Sequence, residues 1–335
     1  MDFSFSIAKS NTMKKLLLLF LVTLAFSCNQ KEEKISDKQS IGNTNSLSVF
    51  IDDKLWIGEI GDTIRKKFAA PVDGLPQEEP LFTINQYPLH AFEGTLAKNR
   101  NILYIKKEAR NVFDISENQY AVPQNLIRIS GNTTAMIIDH LEKNASAIIA
   151  LMQQTEIEVS QKTIQKSLMD AKKLKEKFNI SLQVPKAFRA VLEKDKFLWL
   201  KKEIQSGNSS ILIYQIPLHC IKKNDEAINN IVKIRDSIGG LYIHGTTENS
   251  QMVTEDSYSP YLLNTTLDGM KAYQTKGNWE LRNDTMSGPF INYSIIDEKN
   301  NRILIIEGFC YAPSTPQRDL MHELESIIKS IKILK

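Results

Sequence analysis

The sequence predicts an α+β fold, with mainly antiparallel sheets, packed helices and two subdomains. Short apolar runs with strand character follow one another, and helical patterns interrupt them irregularly instead of alternating with them. Residues 133–178 have helical periodicity without a glycine or a proline, and a strand-rich region begins after them. The chain of 335 residues, 42% of them hydrophobic, is long enough to form two domains with cores of their own.

The N-terminal subdomain is predicted for residues 47–178. Short apolar runs predict strands over residues 48–51, 81–84, 101–105 and 126–129. A helix is predicted over residues 56–68, whose apolar side chains share a four-residue spacing: Trp56, Ile60, Ile64 and Phe68. The long helical stretch has an apolar face in its first half, formed by Ile137, Leu141, Ala145, Ile148 and Met152. Its length predicts two packed helices, with the break near the β-branched residues at 157–159.

The C-terminal subdomain is predicted for residues 179–335, as an antiparallel sheet with a closing helix. Strands are predicted over residues 180–184, 197–200, 210–216, 241–244, 278–281, 290–296 and 302–311. The last two strands are joined by the turn sequence DEKNN, and a helix over residues 225–238 ends at Gly239-Gly240. The final helix is predicted to start with Thr315 as N-cap and Pro316 as its first residue.

The N-terminus has the pattern of a signal peptide, predicted for residues 1–27 with Met13 as the true start. Two lysines after Met13 precede an apolar run at residues 16–26, which as a helix would span about half of a ~30 Å hydrocarbon layer. The run ends in Leu-Ala-Phe-Ser before Cys28, which resembles a relaxed bacterial lipobox. This resemblance implies a lipid on Cys28, followed by a flexible tether at residues 28–46. Plain cleavage to a secreted protein and a retained anchor are the alternatives.

The residues after the cysteine, Gln30, Lys31, Glu32 and Glu33, resemble a signal that sends some Bacteroidetes lipoproteins to the cell surface. An ordinary charged tether is the alternative. We therefore expect a protein anchored by its lipid in the outer membrane, on the periplasmic or the cell-surface face.

Four later blocks resemble an uncharacterised family of Bacteroidetes lipoproteins, a domain of unknown function that spans nearly the whole mature chain. The blocks are residues 75–82, 100–105, 287–293 and 307–313. The resemblance implies a lipidated envelope protein and no particular activity. The second half is also similar, more loosely, to Mog1/PsbP-like sheets, through strands that end in Val184-Pro185 and Ile216-Pro217. That similarity implies a fold and transfers no functional residues.

Composition and motifs exclude several classes of function. The formal charge is only +3, and removal of a signal with three lysines and one aspartate leaves about +1, so nucleic acid is not an expected partner. The sequence contains no glycine-rich nucleotide loop and no nucleophile elbow. His322-Glu323 resembles the start of a zinc-protease motif, but Ser326 stands where the second histidine belongs. No cofactor and no metal are predicted.

The densest group of residues able to bind a ligand lies at residues 277–293. Trp279 and Phe290 offer aromatic faces, Ser287 and Gly288 allow close approach of a backbone, and His244 follows a predicted strand. Turn and core positions are the alternative for all of them. We expect a non-catalytic module that binds a small ligand or another envelope protein, or that assists assembly. The alternative is an envelope hydrolase with a site formed by dispersed residues such as His244, Asp284 and Glu307.

Two cysteines remain after Cys28. Cys220 and Cys310 lie in or beside predicted strands, and the envelope is an oxidising compartment. Free buried thiols, a disulfide between the two and a nucleophile are the three alternatives, and neighbouring His219 gives Cys220 no activation because successive strand residues point to opposite faces.

Overall fold

Two large β-sheets with helices packed on them, together with one two-stranded sheet, form the part of the chain that the structure describes, residues 38–221 and 226–334 of a computed structural model. The N-terminal subdomain holds a five-stranded sheet and the C-terminal subdomain an eight-stranded one. All described residues lie within one compact unit. The predicted α+β class with two subdomains is confirmed.

The elements of the N-terminal subdomain are β1 (Ser46–Phe50), α1 (Asp53–Ile57), α2 (Glu59–Phe68), β2 (Thr83–Tyr87), β3 (Asn101–Lys107), β4 (Val112–Glu117), β5 (Asn125–Gly131) and α3 (Thr134–Ile164). The smaller sheet has the order β2-β1-β3-β5-β4. Strand β1 pairs in parallel with β2 and with β3, and β3 pairs in parallel with β5, which the sequence did not indicate. Antiparallel pairing, as predicted, dominates the structure as a whole.

Helix α3 packs along the smaller sheet through the predicted apolar face. All five of its predicted core residues, from Ile137 to Met152, are at most 3% exposed. Thr133 caps the helix by accepting a hydrogen bond from the Met136 amide at 3.3 Å. The prediction of a break at residues 157–159 is wrong, because Ile157 is buried there and the helix continues to Ile164. The helix ends after Ile164, and Leu168 then forms a β-bridge with Pro185.

The elements of the C-terminal subdomain are α4 (Lys172–Phe178), β6 (Ile180–Ser181), β7 (Arg189–Lys194), β8 (Phe197–Ile204), β9 (Gly207–Pro217), α5 (Ala227–Tyr242), β10 (Gln251–Thr254), β11 (Tyr261–Leu267), β12 (Met270–Arg282), β13 (Ser287–Asp297), β14 (Arg302–Tyr311), α6 (Arg318–Ile328) and β15 (Lys332–Ile333). The larger sheet has the order β10-β12-β13-β14-β9-β8-β7, and β11 also pairs with β12. The predicted strand at residues 302–311 and its hairpin are confirmed.

Each face of the larger sheet has its own core. On one face, α4 and α6 pack over residues such as Tyr293, Leu304 and Ile306. On the other face, α5 packs over Trp279, Phe290 and Phe309. Successive residues of each strand therefore enter different cores, which accounts for the nearly continuous burial of β13 and β14.

The N-terminal segment of the described chain is held against the smaller sheet. The Ser40 amide donates to the Val122 carbonyl and the Ile41 amide to the Lys98 carbonyl, both at 3.1 Å. Hydrogen-bonded structure thus begins ahead of residue 47, the predicted start of the folded part.

Candidate functional site

A cleft of about 530 Å³ lies between the two subdomains and is the candidate functional site. One wall comes from the N-terminal subdomain, through the loop at residues 71–73, Leu81 and Gln153 of α3. The floor comes from α6, β12 and β13, and the opposite wall is the edge strand β11. We call this space the cleft.

The floor of the cleft is organised around the carboxylate of Glu325. Its Oε1 accepts hydrogen bonds from the Tyr293 hydroxyl at 2.9 Å and from Gln274 Nε2 at 3.1 Å. The ammonium groups of Lys329 and Lys276 lie 2.9 Å from Oε1 and 3.6 Å from Oε2. Gln274 also donates to the Tyr293 hydroxyl, so these side chains form one connected network.

This network fixes the charge of Glu325. Burial opposes ionisation, but the two neighbouring lysines outweigh it and lower the pKa of the Glu325 carboxyl to about 2. Burial and the adjacent carboxylate raise the pKa of Tyr293, so its hydroxyl stays a donor. General acid–base catalysis works best with a pKa near the working pH. At neutral pH the Glu325 carboxylate therefore stays charged and the Tyr293 hydroxyl stays protonated.

The imidazole of His322 lies beside this floor. Its side chain lines the cleft, and within the described part of the chain its buried Nε2 has no hydrogen-bond partner. Burial lowers the pKa of His322, against the opposing effect of Glu156 and Glu325, so the imidazole is neutral near pH 7. Glu323, the next residue, pairs with Lys202.

The β11 wall is apolar and open to solvent. The side chains of Tyr261 and Leu263 are 56% and 59% exposed, and they lie opposite Lys276 and Gln274 on β12. They therefore share the sheet face on which α6 packs. The cleft thus combines a charged floor with an apolar wall, as ligand sites commonly do.

The two subdomains meet at the first turn of α6. The Glu79 carboxylate, from the N-terminal subdomain, accepts hydrogen bonds from the backbone amides of Gln317 at 2.6 Å and Arg318 at 3.1 Å. The Arg318 side chain donates back to the Pro80 carbonyl at 2.9 Å. The prediction that Thr315 and Pro316 start this helix is wrong, because α6 begins at Arg318 and its cap comes from a distant loop.

The predicted binding surface lies on the opposite face of the sheet from the cleft and is largely core. Trp279 and Phe290 are 2% and 1% exposed, and Trp279 Nε1 donates to the Cys310 carbonyl at 3.2 Å. Gly288 is buried, and a Cβ there would lie 2.1 Å from the same carbonyl oxygen, so this glycine admits the neighbouring backbone. Ser287 is exposed at the start of β13.

The residues considered for a hydrolase are held in different environments. His244 is exposed, with Nδ1 2.9 Å from the Ser250 carbonyl, and Asp284 accepts a hydrogen bond from the Thr247 hydroxyl at 3.4 Å. Glu307 is fully buried, and its two oxygens accept from Arg235 and Asn292, each at 3.0 Å. Burial raises the pKa of Glu307, opposed by the charge of Arg235.

The cysteines of the described chain are free thiols. Cys310 is buried and its Sγ lies 3.8 Å from Met321 Sδ, whereas Cys220 is partly exposed. Burial raises the pKa of Cys310 to about 12. The structure therefore contains no disulfide between the two residues.

Cys28, where a lipid is expected, and the expected export signal, Gln30, Lys31, Glu32 and Glu33, lie outside the described residues. Within residues 38–221 and 226–334, no group of three or more His, Cys, Asp and Glu side chains is arranged to hold a metal ion. No helix in those ranges has the length and apolar character needed to cross a bilayer.

Comparison with known families finds two domains of unknown function in this chain. Residues 40–165 match the family model DUF8532, and residues 167–330 match DUF4837. The matched ranges follow the smaller and the larger sheet. No curated protein matches the sequence.

Distant structural neighbours each cover about half of this chain. A point mutant of the protein Mog1 is 13% identical, with a TM-score of 0.31 over 47% of this chain and 92% of Mog1. The Ran-binding protein Mog1p of Saccharomyces cerevisiae is 13% identical, with a TM-score of 0.29 over 47% and 91%. LpqN of Mycobacterium tuberculosis, described as involved in cell envelope biogenesis, is 14% identical, with a TM-score of 0.28 over 47% and 83%.

Proposed function

We propose that this protein is a lipid-anchored module of the cell envelope that binds a ligand in the cleft without transforming it. The observation that carries the proposal is the Glu325 network. Its carboxylate already accepts from Tyr293, Gln274 and Lys329, lies beside the Lys276 ammonium, and has a pKa of about 2. The floor therefore offers fixed charge for recognition. The adjoining apolar wall supplies contact area.

The anchor is the lipid on Cys28. The apolar run at residues 16–26 and Ser27 precede Cys28, which would be the first residue after the signal is cut. A single acyl chain binds a membrane only marginally, whereas two or more hold a protein firmly. The location is the outer membrane, with Gln30, Lys31, Glu32 and Glu33 favouring the cell-surface face.

The anchor is tested by fractionation. Cys28→Ser is expected to release the protein from membranes and to abolish labelling by a palmitate analogue. Protease treatment of intact cells then reports the face, since a protein on the periplasmic side survives it. Unchanged membrane association of Cys28→Ser would refute the anchor.

The cleft is tested with paired substitutions on α3. Gln153 is exposed and lines the cleft, whereas the next residue, Gln154, is exposed and does not line it. Lipidated protein is purified from membranes, and bound species are quantified by mass spectrometry against a control lipoprotein. Gln153→Arg is expected to reduce the bound species at least tenfold, and Gln154→Arg to leave it unchanged.

Two results would contradict this proposal. Equal recovery from both variants would place any ligand outside the cleft. A change in mass of the released species after incubation with the protein would indicate an enzyme.

A further inference from the structure

The outer edge of β11 is an unused hydrogen-bonding edge. The strand pairs with β12 from Tyr261↔Lys276 to Leu267↔Met270, and no other strand of the described chain pairs with it. Its hairpin turn has positive φ at Asp268 (47°) and Gly269 (76°), as a two-residue type I′ turn requires.

This turn fixes which backbone groups are free. In such a hairpin the residues that flank the turn exchange hydrogen bonds, and hydrogen-bonded pairs then alternate along the ladder. Leu267, Thr265 and Leu263 therefore bond to β12. The amides and carbonyls of Leu262, Asn264 and Thr266 point away from β12.

The sequence of β11 contains none of the charges that commonly prevent another strand from pairing with an exposed edge. The seven residues of β11, YLLNTTL, carry no charge, and Tyr261, Leu262 and Leu263 are 56%, 38% and 59% exposed. The other free edge of the same sheet, β7, carries Arg189, Glu193 and Lys194 and a register shift between Ala190 and Leu192. Charges and bulges are the usual means of preventing strand addition, and β11 has neither.

Depressions flank β11 on both faces of the sheet. The cleft lies on the α6 face, next to Tyr261 and Leu263. A second depression of about 590 Å³ lies next to Asn264 and Thr266, which point to the α5 face. An added strand directs successive side chains to opposite faces. Its backbone would bond to β11 and its side chains would enter the two depressions alternately, which is the pattern of peptide recognition by strand addition.

We infer that β11 binds an extended segment of another envelope protein, which adds to the larger sheet as a further strand. The inference rests on the proposed function, since one of the two depressions is the cleft. It names the class of ligand: a peptide with β-forming apolar side chains and no proline in the paired segment.

The test uses a display library of random heptapeptides, selected against the full chain carrying Cys28→Ser. Enriched peptides are expected to lack proline and to carry apolar residues at alternate positions. Asn264→Pro removes an outward amide that β12 does not use, and is expected to weaken their binding at least tenfold. Leu262→Lys leaves the backbone intact and adds a charge at the edge, and it is also expected to weaken peptide binding at least tenfold. Val191→Pro on β7 is the control and should leave peptide binding unchanged.

Hydrogen exchange gives a second readout. Bound peptide is expected to slow the exchange of the Leu262, Asn264 and Thr266 amides at least tenfold. Failure to enrich any peptide, or equal binding to wild type and Leu262→Lys, overturns the inference. If binding survives Leu262→Lys and is lost with Gln153→Arg, the cleft function stands and strand addition fails. A wild-type dimer that Leu262→Lys converts to monomer would assign the edge to a second copy of this chain.

Discussion

Replacing Glu79 by alanine is expected to destabilise the protein. Glu79 lies in a loop far in sequence from α6, and its carboxylate caps the N-terminus of that helix. The substitution leaves the amides of Gln317 and Arg318 without their acceptor. Loss of an N-cap acceptor costs about 0.5–2 kcal/mol. Loss of the negative charge at a helix N-terminus adds about 0.3–1 kcal/mol. We expect the free energy of unfolding to fall by about 1–3 kcal/mol.

The neighbouring residue supplies the control. Glu78 belongs to the same loop and is exposed, so Glu78→Ala should change the free energy of unfolding by less than about 0.5 kcal/mol. Urea unfolding of the full chain carrying Cys28→Ser, followed by circular dichroism, measures both variants. Glu79→Gln keeps an acceptor and loses the charge, so its loss should be intermediate.

A specific result would refute this reasoning. If Glu79→Ala and Glu78→Ala unfold at the same urea concentration, the contact contributes nothing to stability. If Glu79→Gln is as unstable as Glu79→Ala, the charge and not the hydrogen bonds carries the effect.

Three other predictions concern titratable groups. Because the pKa of Glu325 is about 2 when folded and ~4.3 when unfolded, its contribution is present above about pH 5 and is lost as the pH falls toward 2. Glu325→Gln should flatten the dependence of the urea midpoint on pH in that range, and an unchanged slope would contradict this. Arg235→Met should cost about 3–5 kcal/mol, because it leaves Glu307 buried without its partner. The double variant with Glu307→Leu should recover much of that loss in urea unfolding, and additive losses would count against a coupled pair. Cys310 should react with iodoacetamide at least tenfold more slowly than Cys220, because its pKa is about 12; similar rates by peptide mass mapping would be inconsistent with its burial.

Local apolar patterns predicted α3, whose burial is one-sided, and β14, which is buried on both faces. The apolar spacing from Ile137 to Met152 identified the core face of α3, and the run from Arg302 to Tyr311 identified β14. The end of α3 was misplaced because β-branched residues disfavour helices only slightly, and burial of Ile157 outweighs that preference.

The cleft could not be predicted from the sequence, because it brings together residues from Asn45 to Lys329. The aromatic residues Trp279 and Phe290 were predicted to bind a ligand, but both are buried core side chains. One local signal was overlooked. An uncharged β-forming run followed by Asp268-Gly269 is a strong hairpin signature, and it would have located β11.

The pairing of β9 with β14 has a consequence for how the chain folds. These two central strands of the larger sheet are separated in sequence by α5 and β10–β13. Contacts between distant segments form slowly, because a long loop must close before they stabilise the chain. During synthesis, one edge of β9 therefore stays without its partner until the residues of β14 have emerged, while its other edge can already pair with β8. Folding of the C-terminal subdomain should therefore depend on chaperones more than folding of a sheet built only from hairpins.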